Sequence, residues 1–349
     1  MSVPHTDHRG CFSSFKLSII ERGPGYWKFN NSLLEDKEFV SQINTIIENF
    51  PKERSAQLTW ELLKIEIREF SIKYSKMKTV KTKNALLQLY NKLNDIDTEL
   101  SIDPDNEENV RERENTKLKI EIIEHQKVRA AQVRSRIRWI DKGEKNTKYF
   151  LGLEKARANA KIMEEVKDEH GNLITKQDNI MKVQRDYFIN LYKKKISHQG
   201  INAKINNFLD DAYVPKLHEE QAQTCEGRIS RKEALQALKQ MKDGSAPGSD
   251  GLTTEFFKVF WSRLQHILVA SFNASFEDGK MTTSQRNAII TLIHKGKHLP
   301  RNELKNWRPI SLTNVDYKLL AKCLAIRVST VIKDIINCDQ VGFIKGRRS

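Results

Sequence analysis

The chain has 349 residues, 38% hydrophobic and 30% charged, enough for about two domains with a modest core. Its 60 Lys and Arg against 45 Asp and Glu leave a formal charge of +15. That excess points to a polyanionic partner, nucleic acid first and an anionic membrane surface second, with a merely solvated basic surface as the plainer alternative. Cys11, Cys225, Cys323 and Cys338 are scattered without a Cys-x-x-Cys pair, so neither a disulfide framework nor a zinc knuckle is supported and a reducing compartment fits. No apolar run reaches the roughly 18 residues of a membrane span, and the N-terminus lacks a signal-peptide core.

In chain order, Phe12, Phe15, Leu17 and Ile19 alternate as a single strand, and a turn-rich linker follows at Arg22-Gly23-Pro24-Gly25-Tyr26-Trp27-Lys28-Phe29. Ser32-x-x-Glu35 reads as a capping box opening a helix with Phe39, Val40, Ile43, Ile46, Ile47 and Phe50 on one face. Trp60, Leu63, Ile67, Phe70, Tyr74 and Met77 recur at steps of three and four. After a phase break near Lys81 so do Leu86, Leu89, Leu93, Ile96 and Leu100, a coiled-coil spacing. Asp103-Pro104 reads as a cap followed by proline at the first position of another long helix. An antiparallel helical hairpin spacing two domains is the expected structure, and nothing in residues 30–125 is expected to carry chemistry.

Residues 127–157 are different. Lys127, Arg129, Arg134, Arg136, Arg138, Lys142, Lys145, Lys148, Lys155 and Arg157 stand against Asp141, Glu144 and Glu154, with Trp139, Tyr149 and Phe150 interleaved. A solvated helix face mixes its signs; cations interleaved with aromatics suit phosphates and unstacked bases. The alternative is a basic face docked on an acidic surface of the same protein.

A short hairpin is expected from residues 162–166 and 173–175, around Asp168-Glu169-His170-Gly171-Asn172. Thr175-x-x-Asp178 would then cap a helix bearing Ile180, Val183, Tyr187, Phe188 and Leu191. Residues 197–225 read as a looser connector with one polar helix. Ser230-x-x-Glu233 opens a helix ending near Lys242, before the loop Asp243-Gly244-Ser245-Ala246-Pro247-Gly248-Ser249-Asp250-Gly251. This is no phosphate-binding P-loop, because no Gly-Lys-Ser/Thr opens the next helix. That helix presents a core stripe of Phe257, Phe260, Trp261, Leu264, Leu268 and Phe272.

The last stretch is the most ordered in its motifs. Ala288-Ile289-Ile290-Thr291-Leu292-Ile293 reads as a buried strand closed by His294-Lys295-Gly296-Lys297. Asn306-Trp307-Arg308-Pro309-Ile310-Ser311-Leu312 follows as a second strand. An amphipathic helix that Asn314 could cap then carries Val315, Leu319, Leu320, Cys323, Leu324, Val328, Val331, Ile332 and Ile335.

Lys295, the Asn306–Ile310 motif, Asp316-Tyr317-Lys318 and Gln340-Val341-Gly342-Phe343, in register, resemble the fingers region of the reverse transcriptase of non-LTR retrotransposons, the long interspersed element class. The Arg136–Ile140 and Gly143–Phe150 motifs, and the Ala-Pro-Gly-x-Asp-Gly pattern at 246–251, are similar to the same family. The resemblance implies an α+β, predominantly α fold: a long helical N-terminal region followed by an incomplete right-hand polymerase, its fingers portion. It divides the chain into an endonuclease remnant (1–22), a long-helix linker with a basic RNA-binding segment (23–160), a hairpin and helix connector (161–225) and a partial polymerase domain (226–349). Thr6-Asp7-His8 looks like the last motif of the family's endonuclease, with His8 as general base and Asp7 orienting the site.

By resemblance again, Lys295 and Arg308 would contact the triphosphate of an incoming nucleotide. Arg134, Arg136, Arg138, Trp139, Lys142, Lys145, Lys148, Gly248, Asp250 and Gly251 would line a nucleic-acid path. The family's Mg2+-binding palm carboxylates are expected beyond Ser349, so this chain is expected to bind no cofactor and to be inactive alone. RNA template, DNA target and the element's own RNA-binding protein are the implied partners, in a nuclear and cytoplasmic ribonucleoprotein, with no membrane and no secretion. A non-catalytic RNA-binding or scaffolding protein derived from a degenerate element is the alternative.

Overall fold

The computed structural model describes residues 25–135, 163–193, 205–207, 215–296, 298–337 and then 339, 340, 342, 344, 346 and 347; for 128–135 it describes the backbone alone. The described chain is mostly helical, with two small antiparallel hairpins. Residues 72–135 fall in one compact unit, and residues 26–71 with those from 164 onward in another.

The second unit is built around α7 (Thr254–Glu277). Thr253 caps it, its hydroxyl accepting from the Phe256 N–H at 3.3 Å. The chain leaves the helix through Gly279, whose φ of +61° suits a residue without a Cβ. The expected stripe is its buried face: Phe257, Phe260, Trp261, Leu264, Leu268 and Phe272, joined by Phe256. Full burial of a side chain this size is worth about 1.5–3 kcal/mol, so this helix is the thermodynamic centre of the unit. Around it pack α1 (Lys37–Asn49), through Phe39, Ile43 and Ile47; α6 (Arg231–Gln240), through Ala234, Ala237 and Leu238; and α9 (Val315–Ile335), through Val315, Leu319 and Cys323.

Several local expectations are corrected. Residues 31–35 form a 3-10 turn capped by Asn30, and Asp36, not Ser32, caps α1 by accepting from the N–H groups of Glu38 and Phe39. The phase break near Lys81 does not interrupt the helix: α2 runs unbroken over Ala56–Ile102. The phase shift appears instead as a change in burial. Trp60, Leu63, Ile67, Ser71 and Tyr74 are buried, then no side chain from 75 to 92, then Leu93 and Ile96. At its end Asn106 caps α3 (Glu107–Ser135), accepting from Asn109 at 3.1 Å, and Pro104 lies in the turn before it. The Ser230–Glu233 capping box forms as expected.

In the first unit α2 and α3 run antiparallel, as Tyr90 donating to Glu124 at 2.9 Å and Arg113 donating to Asp97 at 2.7 Å require. Leu93, Ile96, Thr116 and Ile120 are their buried seam.

In the second unit, β1 (Val166–Lys167) and β2 (Leu173–Ile174) make a minimal hairpin. The next helix, α4 (Gln177–Tyr192), starts after Lys176 with no side-chain cap, so Thr175 does not serve, and Leu191 is exposed. The connector's polar helix is α5 (Glu219–Cys225). A short α8 (Thr283–Arg286) leads into β3 (Ala288–His294), which pairs with β4 (Trp307–Thr313). β3 is not the buried strand its apolar run suggests: Ile290 and Ile293 are each 53% exposed. Among the described residues it has one partner strand and no covering layer on both faces, which a continuous apolar run would need for burial.

Candidate nucleic-acid interface

The β3–β4 hairpin has a charged tip and a charged base, and the two are organised in opposite ways. At the tip, the Lys295 N–H donates to the Asn306 carbonyl at 2.9 Å and extends the ladder one step beyond the His294–Trp307 pair. Asn306 and Trp307 are buried and hold the connecting loop: Asn306 Nδ2 donates to Pro300 O at 3.0 Å and Trp307 Nε1 to Arg301 O at 2.7 Å. His294 meets the Trp307 ring edge-on with centroids 5.0 Å apart, and the Arg301 guanidinium lies 4.9 Å from that ring. The next residue, Arg308, pairs with Ile293 in the ladder and is exposed, and its side chain makes no hydrogen bond or ion pair among the described residues.

Residues 295–308 hold five cations, Lys295, Lys297, Arg301, Lys305 and Arg308, and one acid, Glu303. The Lys305 ammonium, 2.8 Å away, holds Glu303 below the usual carboxylate range and is itself raised by that contact. Lys295 Nζ donates to the Lys305 carbonyl at 2.5 Å. Of these two expected residues, then, Arg308 has no side-chain partner among the described residues, and Lys295 holds one backbone acceptor. Lys297 lies outside the described residues.

At the base of the hairpin, the loop 246–251 is fastened to the start of α9. Asn314 stands at the N-cap position but does not cap; its Oδ1 accepts from the Asp250 N–H at 3.3 Å and the Ser249 hydroxyl at 3.4 Å, while its Nδ2 donates to Ser284 O at 3.0 Å. A Cβ on Gly248 would overlap the Asn314 side chain and backbone. Gly251, at φ +77°, would meet Trp27 in the same way, and its carbonyl accepts from the Phe29 N–H at 2.9 Å. Both glycines are therefore demanded by close packing. Lys318 Nζ closes the loop's other end by donating to Ala246 O at 2.8 Å.

Beneath this loop lies a buried charge cluster that sequence reasoning missed. Asp316 is wholly buried and accepts from Trp60 Nε1 at 2.8 Å and from Lys64 Nζ at 3.0 Å, with Gln285 at 3.5 Å. Lys64 also pairs with Glu61 at 2.9 Å and contacts the Ser284 hydroxyl. Burial opposes the Lys64 charge, but Asp316, Asp250 and Glu61 outweigh it and raise its pKa. Burial, then the Asp316 charge, push Asp250 up to about 7 against the pull of Lys64. Its Oδ2 has no hydrogen-bond partner among the described residues. Residues 30–125 thus contribute Trp60, Glu61 and Lys64 to a buried polar cluster within the fold. The one available signal was a lysine at helical spacing from Trp60 inside an otherwise apolar stripe.

The expected site residues are not gathered in one place. Arg308 and Thr313, beside the glycine loop, are five strand steps apart, about 17 Å at the usual rise. Gly248, Asp250 and Gly251 spend their contacts within the fold. Arg134 lies on the last turn of α3, with its side chain undescribed, and Asp7, His8, Arg136, Arg138, Trp139, Lys142, Lys145 and Lys148 lie outside the described residues. No three His, Cys, Asp or Glu side chains among the described residues converge to hold a metal. The buried acids Asp250 and Asp316 both lie in the field of Lys64. No described helix is long and apolar enough to cross a membrane.

Fold and site together define a mostly helical protein with a cation-rich β-hairpin tip held by a buried Asn-Trp pair. No protein-family model matches the chain. Over 351 aligned residues it is 29% identical to the "Transposon TX1 uncharacterized 149 kDa protein" of Xenopus laevis, an alignment covering 99% of this chain and 26% of that protein. The chain therefore spans about a quarter of that relative's length, and both the helical hairpin and the charged β-hairpin lie within the aligned span.

Proposed function

We propose that this chain derives from a non-LTR retrotransposon and forms the fingers portion of its RNA-directed DNA polymerase, gripping RNA template and incoming nucleotide. Similarity along the whole chain to a transposon protein supports the origin. The observation that carries the nucleotide role is the division of labour at 306–308: Asn306 and Trp307 are consumed by the loop, and Arg308 is presented to solvent without a carboxylate partner among the described residues. A forked guanidinium on a rigid strand, stiffened by Pro309, suits a triphosphate, and Lys295 adds a second positive charge at the same end of the hairpin. RNA is held by the basic stretch 127–157, including Arg134, Arg136, Arg138, Trp139, Lys142, Lys145 and Lys148, with Gly248, Asp250 and Gly251 shaping the loop past which the template runs.

The test is equilibrium titration of the chain with a fluorescent deoxynucleoside triphosphate in Mg2+. Arg308→Ala should weaken binding by one to two orders of magnitude, since a lost charge-assisted contact costs about 1.5–3 kcal/mol. An unchanged Kd for Arg308→Ala would remove the residue from the site.

A further inference from the structure

The middle of α2 carries a run of lysines without acidic residues among them. From residue 70 to residue 94 the helix holds six lysines and no acidic residue. Five of them, Lys73, Lys76, Lys78, Lys81 and Lys83, fall within eleven residues, and all five are exposed. Nearer the tip the same hairpin balances its cations: Lys92 pairs with Glu112, Arg113 with Asp97 and Lys117 with Glu114. Lys73, Lys76, Lys81 and Lys83 have no ion pair among the described residues. Lys73 and Lys76 stand three apart on the helix, a spacing at which like charges repel by about 0.2–0.5 kcal/mol. The helix stays regular through this stretch with no side chain buried from 75 to 92, so packing does not explain the composition.

Met77 and Val80, 55% and 57% exposed, sit among these lysines, but two apolar side chains are too few for a helix-docking seam, which repeats every three to four residues.

We infer that residues 73–83 of α2 form a binding surface for the phosphate backbone of RNA, in addition to the 127–157 stretch; this rests on the RNA reading above. Polyanion binding would relieve the lysine repulsion and release condensed counterions, so the surface should show itself in the salt dependence of binding.

The test measures binding of poly(U) RNA by the full chain over a salt series. Three variants are compared with it: Lys73, Lys76, Lys81 and Lys83 all changed to Gln; Arg134, Arg136 and Arg138 all changed to Gln; and, as a charge-matched control, the exposed Lys37, Lys52, Lys232 and Lys239 all changed to Gln. Gln matches Lys in helix propensity, and far-ultraviolet circular dichroism checks the helix. At about 0.7 per phosphate neutralised on a single strand, the α2 variant should flatten the slope of log K against log salt by about three, and the control by less than one. The partial variants Lys73→Gln with Lys81→Gln, and Lys76→Gln with Lys83→Gln, should each give about half the effect and keep the test readable if the quadruple variant unfolds. An α2 variant that behaves like the control overturns the inference. If the arginine variant still flattens the slope in that case, RNA binding by 127–157 stands; if it does not, both fail. Loss of binding to phosphatidylserine vesicles or to a protein, with an unchanged RNA slope, also overturns the inference.

Discussion

The two ends of the β3–β4 hairpin make the instructive comparison. At its base, Asp316, Asp250, Glu61 and Lys64 are drawn inside the fold, and nearly every polar atom is spent on another part of the chain. At its tip, Arg308 is left without a partner among the described residues while its neighbours Asn306 and Trp307 are fully used. Buried charge is costly unless matched, so the base is where substitutions should cost stability. Exposed unmatched charge costs the fold little, so the tip is where they should cost binding.

The largest expected effect is at Lys64. Lys64→Met removes the counter-ion of a wholly buried carboxylate, and breaking such a pair typically costs about 3–5 kcal/mol. Urea denaturation of the chain should show the loss. Adding Asp316→Leu should recover part of it, because the stranded charge is then gone. A Lys64→Met variant as stable as the parent would mean that the cluster is solvated and that the contrast between base and tip is false.

Gly248→Ala comes next. Its methyl group would collide with Asn314, which holds the loop through Asp250 and Ser249. Overpacking of this kind costs about 1–3 kcal/mol. Gly296→Ala, at the tip, where nothing lies within 4 Å, should cost markedly less. Equal losses in melting temperature would show that the loop is not seated as tightly as described.

A different kind of effect is the pH dependence of the base. The Asp250 pKa is raised to about 7 from its ordinary value near 4, by burial first and by Asp316 second. Between those two values the folded chain holds a proton that the unfolded chain has released, so this group's contribution to stability falls as pH rises from about 4 to 7 and is level above. Asp250→Asn should abolish that fall. Melting curves across this range that are parallel for parent and variant would place Asp250 in contact with water.

How much of this was legible in the sequence differs between the two ends. The α7 stripe from Phe257 to Phe272, the Ser230 capping box and the two strands of the hairpin follow from periodicity and local capping chemistry, and the structure has them. The Asp36 and Asn106 caps were passed over because Ser32 and Asp103-Pro104 present stronger local patterns, although Asp and Asn are equally good N-caps. The exposure of β3 could not be read from an apolar run alone, since the run does not say how many layers cover it. That Lys64 and Asp316 meet was not legible, for a deeper reason. They lie 252 residues apart, each looks like an ordinary solvated charge in its own helix, and only the fold brings them within 3.0 Å. Arg308 was legible from its motif, yet that it is free and Asn306 is not required the loop geometry.

The smallest expected effect on stability belongs to the residue with the largest expected effect on function, and this pairing tests the account most directly. Melting temperature and deoxynucleoside triphosphate affinity should be measured together on Arg308→Ala and Asn306→Ala. For Arg308→Ala the account predicts stability within about 0.5 kcal/mol of the parent, as for other surface changes, with nucleotide affinity lowered at least tenfold. For Asn306→Ala, which strips the loop of its hold on Pro300, it predicts a clear drop in melting temperature. An Arg308→Ala chain that melts early and binds nucleotide as tightly as the parent would contradict it, and would make the arginine part of the scaffold.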